Sequence, residues 1–94
     1  MSLYLIRVII NEMFNLGYTS FEATDLETLV FTKKGLKYTS FFIDLNKKQI
    51  IITRITEEKK IVKDSFVFSE KYLFTIKTQI KKSIQLIDET LKKA

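Results

Sequence analysis

Two stretches of helical periodicity bracket a run of two-residue alternation, and the chain contains no proline to interrupt any of them. Towards the carboxyl end Leu73, Ile76, Ile80, Ile84, Ile87 and Leu91 recur at steps of three and four residues, the mark of one apolar stripe along a helix. Lys77, Lys81, Gln85, Asp88 and Lys92 fall on the opposite side of that helix. Ser69 suits its cap, Glu70 its first turn, and Lys92 and Lys93 the negative end of its dipole. At the amino end Leu3, Ile6, Ile9, Ile10, Met13 and Leu16 predict a first helix between a capping Ser2 and Gly17, which suits the left-handed position past a helix end. The β-branched run Val8–Ile10 favours a strand slightly, so a strand start is the competing reading.

Between the helices, Thr28–Lys33 alternates apolar residues with threonines, and Lys34–Gly35 makes a turn into a second strand, Leu36–Leu45. Asn46, Lys47 and Lys48 then close a hairpin before Gln49–Thr56. Tyr18–Asp25 reads as a loop with room for a short extended piece. Glu57–Lys60 reads as a charged turn, and Ile61–Phe68 as either a short fourth strand or an extended entry to the last helix. The expected fold is α+β, two-layered, in the order α-β-β-β(-β)-α: an antiparallel meander of three or four strands with the N- and C-terminal helices on one face. At 94 residues, one domain over 1–94 is expected, with 46% hydrophobic residues to form its core. One sheet face is assigned Leu29, Phe31, Phe41, Ile43, Leu45, Ile51 and Ile55. The other is assigned Val30, Thr32, Tyr38, Ser40, Phe42, Ile52 and Arg54, a mixed face that reads as solvated, as lying against a dimer mate, or as a base-stacking surface.

The chain has neither histidine nor cysteine. Serine–histidine triads, cysteine nucleophiles, disulfides and the usual zinc sites are thereby excluded. Gly17 and Gly35 are isolated, so no glycine-rich phosphate loop exists. Asp44 followed by Glu57 and Lys59 has the spacing of a nuclease-like magnesium site, though Glu57-Glu58-Lys59-Lys60 is equally an ordinary charged turn. We expect no enzyme, no cofactor and no metal.

Charge is uneven. Residues 1–32 hold one cation against four acids, net −3, whereas residues 33–94 hold fifteen cations against seven acids, net +8. Fourteen of the sixteen cations are lysine, which lacks the bidentate fork of arginine, so solubility is favoured over recognition. The order helix–three strands–helix resembles that of double-stranded RNA-binding domains, but the basic cluster expected at the start of the second helix is thin. The alternative function is therefore a nucleic-acid-binding module using Lys33, Lys34, Lys37, Lys47, Lys48 and Arg54.

The leading expectation follows from the first helix, which is apolar around most of its circumference. Tyr4, Leu5, Val8 and Phe14 lie off its main stripe and are assigned to a partner-binding surface. They point to a small non-enzymatic binding or regulatory protein acting by protein–protein contact, as a homodimer or on another protein. Leu3–Leu16 is too short and too interrupted for a membrane span or signal peptide, so a cytoplasmic location is expected.

Overall fold

The computed structural model describes residues 3–25, 27–33, 36–56, 58–69 and 71–93, without the side chains of Leu36, Lys37 and Leu73. The elements run α1 (Leu3–Asn15), β1 (Ser20–Ala23), β2 (Thr28–Lys33), β3 (Leu36–Asp44), β4 (Gln49–Ile55), β5 (Ile61–Val67) and α2 (Leu73–Lys93). The expected α+β, two-layer plan is present, with two strands beyond the three that alternation makes plain. Ile61–Val67 pairs along its whole length with β4, and Ser20–Ala23 pairs with β2, so the sheet is a five-stranded antiparallel meander in the order β1-β2-β3-β4-β5. Both additions are edge strands. They bury little, which is why their patterning is weak, and hairpin pairing with a neighbour already in place supplies what the pattern lacks.

Helix ends follow local chemistry. Gly17 takes φ 97°, Tyr18 N donates to Met13 O at 3.1 Å and Gly17 N to Phe14 O at 3.0 Å, the paired bonds of a Schellman stop. A Cβ at Gly17 would lie 3.1 Å from Lys33 Cε. The second helix begins later than Ser69: Tyr72 N donates to Ser69 O at 3.1 Å in a turn, and α2 starts at Leu73. The expected roles of Ser2, Glu70 and the Lys34–Gly35 turn fall outside the described residues.

One core joins both helices to the inner sheet face. Leu5, Ile9 and Met13 of α1 and Ile76, Ile80, Ile84 and Ile87 of α2 pack with Leu29, Phe31, Phe41, Ile43, Ile50 and Ile52. The stripe of α2 is the one its spacing predicts. That of α1 is rotated: Leu5 is fully buried and Leu3 is 64% exposed, because a helix apolar on nearly every side carries no marker of which side turns in.

The faces of β4 are the reverse of those expected. Ile50, Ile52 and Arg54 turn into the core, leaving Ile51 and Ile55 on the outer face with Val30, Tyr38 and Phe42. The cause is one residue of loop. A three-residue connection, 46–48, would set Ile43 opposite Ile51; the actual four-residue connection, 45–48, pairs Asp44 with Gln49 and Ile43 with Ile50. Side chains alternate with period two, so a single-residue slip exchanges the faces. Asp44 Oδ1 holds that loop by accepting from Asn46 N and Lys47 N, each at 3.0 Å, and Lys48 takes φ 50°.

Candidate partner-binding surfaces

The residues assigned to a partner surface on α1 separate. Leu5 is 0% exposed and wholly enclosed by its own chain, so it has no area to offer. Val8 is half-buried against the core. Tyr4 is exposed, beside Leu3 and Arg7, and the Phe14 ring lies tilted against that of Phe21 with centroids 6.1 Å apart. Much of the apolar surplus of α1 is used inside the molecule, because the helix packs on the sheet and on α2 together.

The basic residues of the alternative reading do not form one patch. Arg54 is 1% exposed, and its guanidinium donates to Thr39 Oγ1 (3.3 Å), Tyr18 Oη and Asp88 Oδ1. Tyr18 Oη also lies 3.1 Å from Thr39 Oγ1, so an arginine expected at the surface is the hub of a network linking β4, β3, the turn after α1, and α2. Lys33 Nζ donates to Leu16 O at 3.0 Å and sits 5.5 Å from the centroid of the Tyr18 ring. Lys47 and Lys48 are exposed in the β3–β4 turn, at the far end of the nine-residue strand β3 from Lys33, which pairs with Leu36. That strand separates the two groups by roughly 30 Å. Lys34 and the side chain of Lys37 lie outside the described residues.

Nor does the suggested magnesium constellation assemble. Asp44 caps its own turn and Glu57 lies outside the described residues. Among the described residues no three carboxylates come together. Glu12 is 4% exposed, and among the described residues its Oε2 has no hydrogen-bond partner, with Lys77 Nζ 3.8 Å away. Such a carboxylate sits between the helices at a cost that the surrounding apolar packing must offset.

Among the described residues no element covers the outer face of the sheet. Both helices lie on the other side, and no outer-face residue joins the core. Strand pairing aligns its side chains in rows. One row crosses all five strands: Glu22, Val30, Ser40, Thr53, Lys63. The next holds Thr28, Phe42, Ile51 and Ser65, and a third holds Tyr38, Ile55 and Ile61. Tyr38 is 50% and Ile61 61% exposed, and a shallow depression of about 350 Å³ lies over Val30, Tyr38, Ser40 and Thr53. Glu22 and Lys63 escaped the sequence reading, because their alignment depends on two edge strands whose own pattern is faint.

Comparison with protein-family models, curated proteins and solved structures finds no match to this chain. Among the described residues no helix is long and apolar enough to cross a membrane.

Proposed function

We propose that this chain is a small non-enzymatic binding protein that acts by protein–protein contact, as a homodimer. The observation that carries the reading is the uncovered outer sheet face. Phe42 and Ile51 lie in one row and Tyr38, Ile55 and Ile61 in another, with Val30, Ser40 and Thr53 in the row between them, and an uncovered face carrying this much apolar surface is of the kind that marks an interaction surface. The lack of histidine and cysteine argues against common forms of catalysis. The nucleic-acid alternative draws little support from cations split between two ends of the sheet, one of which, Arg54, is committed to internal partners. Light scattering of the full chain at micromolar concentration tests the reading. The expected mass is twice that of the chain, whereas a monomer overturns the homodimer. A mobility shift of duplex or single-stranded nucleic acid at low salt, lost steeply as salt rises, would move the assignment to the alternative.

A further inference from the structure

The row Glu22, Val30, Ser40, Thr53, Lys63 carries opposite charges at its two ends: an acid on β1, a base on β5, and small or β-branched residues between. Among the described residues neither Glu22 nor Lys63 takes part in an ion pair within the chain, and both side chains are exposed. Such a row is complementary to its own reverse. We infer that two copies stack outer face on outer face about a two-fold axis parallel to β3, forming a ten-stranded sandwich with an ion pair at each rim. This inference rests on the homodimer reading and specifies its geometry.

A two-fold axis along the central strand carries β1 of one protomer over β5 of the other. Glu22 then faces the partner's Lys63, and Lys63 faces the partner's Glu22. Val30 meets the partner's Thr53, and the Ser40 side chains meet near the axis, where their small size permits close approach. Phe42 lies against the partner's Phe42, the type of central aromatic contact that anchors interfaces. The perpendicular in-plane axis is disfavoured because it stacks Glu22 on the partner's Glu22 and Lys63 on the partner's Lys63, repulsion at both rims. Aligned sheets pack about 10 Å apart and rotated by about 30°, a gap that glutamate and lysine side chains jointly span.

Area and edges agree with stacking. Five strands about 4.8 Å apart and about seven residues long present roughly 500 Å² in plan. Side-chain relief raises the accessible area towards the ~800 Å² per partner of a standard stable interface. Edge-to-edge pairing through β5 is opposed: an antiparallel pair centred on Lys63 or on Asp64 sets like charges directly opposite each other.

Charge reversal tests the geometry. Glu22→Lys and Lys63→Glu are each expected to weaken self-association about tenfold or more, measured by sedimentation, with circular dichroism unchanged because both positions are solvent-exposed. The double variant E22K/K63E restores association, and so does an equimolar mixture of the two single variants, which pair as heterodimers. Phe42→Asp abolishes the dimer. A dimer indifferent to Phe42→Asp overturns the inference and leaves the homodimer reading intact. A dimer that Phe42→Asp breaks but charge reversal and mixing do not alter overturns the Glu22–Lys63 alignment. A monomeric wild type overturns both.

Discussion

A guanidinium beneath two helices is tolerated only if its donors are answered, and Arg54 meets that condition with Thr39, Tyr18 and Asp88. The partners differ in position. Tyr18 and Thr39 are buried, whereas the Asp88 side chain is 47% exposed and keeps part of its hydration. Truncating the arginine therefore removes the hub and leaves the two buried hydroxyls only their bond to each other, while truncating the aspartate leaves the guanidinium two of its three partners. Arg54→Ala is expected to destabilise the fold by about 3–5 kcal/mol, and Asp88→Ala by about 1–2 kcal/mol. Urea denaturation checks the order; equal losses would mean that Asp88, not the buried hydroxyls, dominates. The sequence could not disclose this residue's place. An arginine in a strand of otherwise apolar and hydroxylated side chains reads as solvent-facing, and its answering groups lie 15, 34 and 36 positions away.

At the scale of the element, β4 shows how a uniform run withholds its own orientation. Ile50, Ile51 and Ile52 have no polar residue between them, so alternation cannot say which of them turn inwards. The turn decides, through the amides of Asn46 and Lys47 gathered on Asp44. Ile50→Ala is accordingly expected to cost about 2–5 kcal/mol as a cavity in the core. Ile51→Ala, on the open face, is expected to cost under about 1 kcal/mol in dilute protein. Urea midpoints in the opposite order would restore the three-residue loop and its inverted faces. Helix α2 is the contrasting case, since Ile76, Ile80, Ile84 and Ile87 form the buried stripe the spacing foretells, although Phe74 and Leu86 lie exposed outside it.

For the whole molecule, the division between covered and open sheet faces is the decisive feature. With both helices on one side, the area carrying Phe42 and Ile51 is uncovered, and the association proposed there would link stability to concentration. The thermal midpoint is expected to rise by a few degrees for each tenfold increase in protein concentration, followed by circular dichroism. A midpoint independent of concentration would be the signature of an isolated monomer.

The two helices, the three central strands of the meander and the two-layer plan were determined by the sequence alone, because periodicity and turn residues act between neighbours in the chain. Which side of α1 turns inwards, which isoleucines of β4 are core, where Arg54 lies, and the alignment of Glu22 with Lys63 were decided by the tertiary structure. Each depends on pairing between distant segments, and a one-residue change in a single loop alters it without leaving a local trace.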